Sequence, residues 1–304
     1  MTLPSMMTFY LEPGLKESAE AGQHNFLSLI AQVGREAGLD IVIRGNSTGD
    51  LAEADPDREW AVVHMEPPPH ARAVSLRRAY AYPFWSIERS EKRWEFDVAR
   101  ALFDADAVDG AKAARFVARW QKRLFGDWPV DGPRGHVYVP LQGRLGERRS
   151  FQTHAPLEMV HLLLDLERER PIAIGLHPKE SYSALEIDAL EKLEIKHPRV
   201  SVEMGGMERL LPGADYVVTE NSGAGFFGLF HEKPLVLFAG VDFHHIAARV
   251  SEIGAKRAIK GAPAMRPDFA RYLYWFWQER AINAGRPEAK TRIAERLRGF
   301  GWPV

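Results

Sequence analysis

From residue 136 to residue 240 the chain alternates apolar runs with helix-spaced segments almost without a break. "HVYVPLQ" (136–142), "PIAIGLH" (171–177), "RVSVEM" (199–204), "DYVVT" (215–219) and "KPLVLFAG" (233–240) read as strands. Between them, "APLEMVHLLLDLERER" (155–170), "YSALEIDALEKLEI" (182–195), "GMERLLPGA" (206–214) and "SGAGFFGLFHE" (222–232) read as helices. Strands joined through helices run parallel, because each connection must carry the chain back to the starting edge, and a parallel sheet needs both faces covered. This half is therefore predicted to be a doubly wound α/β sheet.

The first half follows the same logic less regularly. "MTFYL" (7–11) and "DIVIRG" (40–45) flank a segment, 24–39, with Phe26, Leu27, Ile30, Val33 and Ala37 at helical spacing, and "WAVVHM" (60–65) adds another strand. That is a βαβ unit and a second parallel sheet. "VSLRRAYAYPFWSIE" (74–88) resists assignment, since Pro83 argues against a continuous helix. "DGAKAARFVARWQKRLFG" (109–126) predicts a helix capped by Asp109. Pro and Gly concentrate in "DWPVDGPRG" (127–135), where the domain boundary is expected. The predicted organisation is an N-terminal α/β domain over 1–130, a second α/β domain over 136–260, and C-terminal helices over 266–304 that pack back on one of them. The aromatic stripe of "RPDFARYLYWFWQERAINAG" (266–285) reads as core. Two Rossmann-like domains facing a cleft are the expected architecture.

Composition narrows the function. With 304 residues the chain is long enough for two cores. Its 40 basic and 41 acidic side chains give a net charge of −1, which speaks against a nucleic-acid footprint. The absence of cysteine excludes a thiolate nucleophile, a disulfide scaffold and thiolate metal sites. No apolar run approaches the roughly 18 residues of a membrane span, and the chain start lacks a signal-peptide pattern. A cytoplasmic protein is expected.

Two strand exits carry chemistry. Ligands of open parallel sheets bind beyond the carboxyl ends of strands. His177 falls at such an end, and Pro178 biases it to an extended backbone, which aims the imidazole. An imidazole can donate to a phosphate or, as a cation, neutralise it; Lys179 adds a point charge. The other His-Pro pair, at His197, precedes a strand and so is given no role. At the second exit, Asn221-Ser222 precede a glycine-rich helix start, where free N–H groups and the helix dipole favour an anion, with Ser222 as N-cap or phosphate donor and Gly223 admitting close approach. The bland readings are a solvated charge cluster and a plain helix cap. Gly223, Gly225 and Gly228 also spell the spacing of a dinucleotide fingerprint, with Asp242 downstream. The polar pair in the turn and the short helix before "HEKP" weigh against that dehydrogenase reading. Metal sites look poor: adjacent His244 and His245 would point apart on a helix, and "DADAVD" (104–109) reads as a cap.

The order "VYVPLQ", "IGLHPKES", "DYVVTENSGAGFFGLFHEKPLVLFAG" and "VDFHHIAARV", over about residues 136–250, resembles the bacterial capsule polysaccharide biosynthesis family, which includes Kdo transferases. The His-Pro and Ser motifs are also similar to those of bacterial sialyltransferases. The resemblance implies a GT-B-like, metal-independent glycosyltransferase with its nucleotide-sugar donor in the C-terminal domain and no other cofactor. Carried over residue by residue, His177, Lys179, Asn221, Ser222 and Gln142 contact the donor's phosphate or nucleotide. Where the family often has a glutamate in the following helix, this chain has Gly228, so Glu203 is the substitute considered for a ribose contact, against a plain surface carboxylate. The implied donor is a CMP-activated acid sugar such as Kdo, and the implied acceptor is a surface or capsular glycan or glycolipid, met at the inner-membrane periphery.

Transfer needs a base for the acceptor hydroxyl unless the leaving phosphate takes the proton. The candidates are His24, beside a helix start after the first strand, Glu88, behind an aromatic segment, and Glu66, after "VVHM". Two other readings stay open: a CDP-polyol phosphotransferase-like enzyme, and a nucleotide-binding module without catalysis.

Overall fold

The computed structural model describes residues 4–129 and 132–304. The chain forms two compact units: residues 1–100 with 276–304, and residues 101–275.

The first unit is built on a six-stranded sheet. Its strands are β1 (Met6–Leu11), β2 (Asp40–Gly45), β3 (Glu59–His64), β4 (Ala73–Arg78) and β5 (Phe84–Glu88), with the late strand Ile282–Asn283 (β12) at the edge. The order is β12-β5-β4-β3-β1-β2. The pairs from β2 to β4 are parallel, while β4–β5 and β5–β12 are antiparallel. The ambiguous segment at 74–88 is thus a hairpin, with a cis Tyr82–Pro83 bond in its turn and Ala79 N–H donating to the Phe84 carbonyl at 2.9 Å across it. Pro83 breaks a helical pattern here because the chain must reverse. Helix Asn25–Glu36 covers one face with Phe26, Leu27, Ile30 and Val33, as its spacing predicted. The last helix, Ala289–Gly299, packs into the same core through Ile293 and Leu297, beside Phe9, Trp60, Trp85 and Trp302.

The second unit holds β6 (His136–Leu141), β7 (Ile172–Leu176), β8 (Val200–Met204), β9 (Ala214–Thr219), β10 (Leu235–Leu237) and β11 (Ala248–Arg249). All its pairings are parallel, in the order β11-β10-β9-β6-β7-β8. The chain winds outward from β6 through β7 and β8, then returns to the other side of β6 with β9, β10 and β11. This is the predicted doubly wound sheet, and its switch point lies between β6 and β9. Gly225 and Gly228, part of the fingerprint-like spacing, face the sheet: a Cβ on Gly225 would stand 3.1 Å from Leu235 and 3.2 Å from Thr219, and one on Gly228 3.3 Å from Val217. Their smallness serves helix–sheet packing.

The unit boundaries differ from those expected from composition. The Pro/Gly stretch at 127–135, of which 130 and 131 lie outside the described residues, falls inside the second unit. What assigns a helix is the core that buries its face. Helix Gly110–Phe125 packs Phe125 against Phe227 and Phe230, and Phe116 edge-on against Tyr274 at 5.4 Å. The expected helix at 266–285 is Phe269–Tyr274 followed by a π-helical turn, Trp275–Arg280, which carries the chain back to the first unit. There Trp277 is fully buried, stacks on Phe84 at 4.4 Å and donates from Nε1 to the Ala79 carbonyl at 2.9 Å. The first C-terminal segment is therefore divided: residues up to Trp275 belong to the second unit, and those from Phe276 on, with the last helix, belong to the first. His244 and His245 lie in a turn rather than a helix, with their rings stacked at 4.3 Å; His245 is held by the Tyr272 hydroxyl at 3.0 Å and the Ala101 carbonyl at 3.1 Å. Among the described residues no helix is long and apolar enough to cross a membrane.

Candidate functional site

The carboxyl edge of the second sheet gathers four strand exits. Gln142 follows β6, His177-Pro178 follow β7, Gly205-Gly206 follow β8 and Glu220-Asn221-Ser222 follow β9. A cavity of about 340 Å³ opens there, within the range of small-ligand sites. Gln142, His177, Pro178, Ser222 and Gly223 all line it. The two sequence motifs, 45 residues apart, thus share one wall.

Local folding sets the hydrogen-bond character of each group. The His177 Nδ1 accepts from the Lys179 backbone N–H at 3.2 Å. A neutral ring held this way carries its proton on Nε2, so it presents a donor. The backbone at His177 is fixed in turn by the Tyr182 hydroxyl, which accepts from its N–H at 2.8 Å. Ser222 caps helix Gly223–Phe230, its Oγ accepting from Ala224 N–H at 3.3 Å. Capping uses an oxygen lone pair and leaves the hydroxyl proton to donate. Cap and ligand contact are therefore compatible, and the helix start adds its own N–H groups and dipole beside that hydroxyl.

Sequence reasoning missed part of the wall. Gly205 and Gly206 both adopt left-handed backbone, with φ of 78° and 73°, which lets the loop after β8 fold over the cavity. Tyr138 on β6 is another wall residue, and burial pushes its phenol up. Glu208 also lines the cavity. The "GG" pair at a strand end was the available signal for this loop.

Three expected contacts lie elsewhere. Glu203 is ion-paired with Arg209 and does not line the cavity; Glu208 is the carboxylate that does. Lys179 is exposed and off the wall, because the chain turns away after Pro178. Asn221 is buried and also off the wall, where its neighbour Ser222 stands.

Beside this wall stands an unforeseen residue. Glu220 is only 6% exposed, and neither carboxylate oxygen has a hydrogen-bond partner among the described residues. Burial pushes its pKa up to about 8, opposed by the charge of Arg149. Gln152, buried on the loop after β6 and bridged to Ala239 beyond β10, accepts from the N–H of that Arg149 at 2.7 Å through Oε1. A carboxylate inside the apolar strand exit "VVTENS" was the sequence signal.

The expected bases all belong to the first unit. Glu88 sits opposite Ser75, in the amino-terminal half of β4, away from the carboxyl edge of the parallel strands. It is buried, accepts from Arg296 at 2.7 Å and from Asp97 N–H at 3.1 Å, and is held as a structural ion pair. His24 caps helix Asn25–Glu36, its Nδ1 accepting from Leu27 N–H at 3.2 Å. Burial pushes its pKa down, so the ring is neutral with its proton on Nε2, a donor rather than a base. Glu66 lies just past the carboxyl end of β3, half-buried.

No family model matches the sequence, and no curated protein does. Among solved structures the chain is similar to a Thermosulfurimonas dismutans KpsC, beta Kdo 2,7 transferase, at 11% identity and a TM-score of 0.54, over 98% of this chain and 100% of that one. A Thermosulfurimonas dismutans KpsC, beta Kdo 2,4 transferase, is 12% identical over 88% of this chain and 89% of its own, with a TM-score of 0.46. WaaG, a glycosyltransferase involved in lipopolysaccharide biosynthesis, is 10% identical over 98% and 77%, with a TM-score of 0.40. What the first of these shares with the chain is the fold, two mostly parallel sheets flanked by helices: the α/β architecture of GT-B glycosyltransferases.

Proposed function

We propose that this protein is a glycosyltransferase that binds a CMP-activated acid sugar, such as CMP-Kdo, in the second unit and moves the sugar to a surface or capsular glycan acceptor. One observation carries the reading: His177, whose Nδ1 is already an acceptor, Ser222, and Gly223 at the start of helix Gly223–Phe230 line one cavity on the switch-point edge. Three donors of that kind suit a single phosphate ester. They would hold the ground-state phosphate and take up the charge that grows on it as the glycosidic bond breaks. Gln142 and Glu208 stand where they could meet the nucleoside. Kinship in fold with a protein named as a Kdo transferase agrees with this choice of donor.

A thermal-shift and calorimetry series with CMP, CDP, UDP and NAD tests it. CMP is expected to raise the melting temperature most, because a ligand that binds only the native state stabilises it by mass action. His177→Ala and Ser222→Ala are each expected to weaken CMP binding by about tenfold or more, the worth of a hydrogen bond to a charged group. Stabilisation by NAD alone, or variants that bind CMP as wild type does, would overturn the proposal.

A further inference from the structure

Strand β12 is too short to cover the edge it joins. It pairs with β5 through Ile282 opposite Trp85 and Asn283 opposite Phe84, while β5 runs on to Glu88. In that register Arg280 and Glu279 would continue opposite Ile87 and Glu88, but both are wound into the π-helical turn Trp275–Arg280. The gap this leaves, walled also by Arg292, Glu295 and Arg296 of the last helix, is a cavity of about 340 Å³. Every residue that lines it belongs to the first unit.

The polar groups of this cavity are opposed rather than paired. Arg296 is held by its own wall: it donates to the Ile87 carbonyl at 2.8 Å, to Glu88 at 2.7 Å and to Asp97. Arg292 donates to the carbonyls of Gln278 at 3.1 Å and Glu279 at 2.7 Å. Glu295 stands three residues on from Arg292 along the same helix, a spacing suited to an ion pair. Yet neither the Glu295 nor the Glu279 carboxylate has an ion-pair or hydrogen-bond partner among the described residues. Trp85, 4% exposed and stacked on Phe26 at 5.0 Å, forms another wall, and its Nε1–H has no acceptor among the described residues. An indole N–H can only donate, and a buried one ordinarily finds an acceptor. Ile87, Val98 and Ile282 add apolar surface.

We propose that this cavity binds a neutral saccharide unit. An anion entering it meets the unpaired carboxylates of Glu279 and Glu295, and a cation meets the guanidiniums of Arg280 and Arg292. A sugar hydroxyl both donates and accepts. One ring can therefore donate to Glu279 and Glu295 and accept from the Trp85 indole and the N–H groups Arg292 has left, without bringing in a charge. Its C–H face meets Ile87 and Ile282, in the mixture of apolar wall and few polar groups that small-ligand sites use. The site goes beyond the transfer reading above and does not rest on it.

The test titrates the full-length protein with glucose, galactose, N-acetylglucosamine and lactose, and with phosphate and alanine as anionic and zwitterionic controls. Binding is followed by calorimetry and by nitrogen–proton NMR of the indoles, with the Trp85 signal identified by its absence from Trp85→Phe. At least one of the four saccharides is expected to bind and to move that signal. Glu279→Ala and Glu295→Ala, at exposed positions, are each expected to weaken its binding by about tenfold, the scale of a hydrogen bond to a charged group, with melting temperature and CMP affinity unchanged. Calorimetry of these two variants decides the matter if Trp85→Phe does not fold. The inference is overturned if none of the saccharides binds, if phosphate or alanine moves the Trp85 signal in their place, or if both variants bind sugar as wild type does. Displacement of the sugar by excess CMP overturns it too, since that puts the sugar in the cavity of the second unit. Wild type that binds a saccharide but not CMP upholds this site and strikes the donor reading instead. Tighter binding of a purified capsular oligosaccharide than of its single sugars assigns the site to a stretch of chain, and equal binding assigns it to a free sugar.

Discussion

Glu220 shows how a single side chain can cost stability and still be kept at a site. With both oxygens buried and unpartnered among the described residues, its carboxyl holds a proton up to about pH 8, against an ordinary value of 4.5. Between those two values the native state binds more protons than the unfolded chain, so stability falls as pH rises through the window and levels off above it. Glu220→Gln removes this dependence. Variant and wild type are expected to be close in stability near pH 4, with the variant gaining steadily to a difference on the order of 4 kcal/mol near pH 8. Chemical denaturation at three pH values across the window checks this, and a gap that does not widen with pH would contradict it. At this scale the sequence was a partial guide. The places of His177 and Ser222 on the cavity wall were legible because strand ends and helix starts are local signals. Glu203, Lys179 and Asn221 were not, because which side chain of a strand exit meets the cavity depends on how the loops close over it.

At the scale of elements, the site depends on close approach between strands β6 and β7 and the loop after β8. Gly175 on β7 makes this possible: a Cβ there would stand 3.0 Å from the Tyr138 ring and 3.1 Å from the Gly205 carbonyl. Gly175→Ala must push Tyr138 or the glycine loop aside. It is expected to weaken CMP binding by about tenfold and to cost about 1–3 kcal/mol of stability, as overpacking does. Calorimetry and urea unfolding of the one variant measure both, and a variant that binds and unfolds as wild type does would show that the loop gives way freely. Helix and strand periods foretold most elements here, including the helices around Phe26 and after Asp109. The hairpin at β4–β5 and the π-helical turn at Trp275–Arg280 escaped because each is set by contacts distant in the chain: Phe84, in the first strand after the turn, stacks on Trp277.

For the whole molecule, the point of interest is that the first core is completed from the far end of the chain. Leu297 and Trp302 join Phe9 and Trp60 in it, while Leu163 belongs to the core of the second unit. Leu297→Ala and Leu163→Ala are each expected to cost about 2–5 kcal/mol, the range for deleting a buried leucine side chain. Hydrogen exchange should place the first loss in residues 4–100 and 276–304 and the second in 101–275, with CMP affinity changed only by Leu163→Ala. Exchange that rises evenly along the chain in both variants would mean a single cooperative core. The sequence by itself determined two mostly parallel α/β sheets and the strand exits that line the cavity of the second, because hydrophobic period, Pro-fixed backbone and helix-start chemistry act over a few residues. Only the tertiary structure decided which core each part of the C-terminal segments completes, that Glu88 is a structural ion pair, and that a cavity opens beside it. Those outcomes rest on burial and pairing between residues far apart in sequence, where the favourable partner is chosen by packing and leaves no local trace.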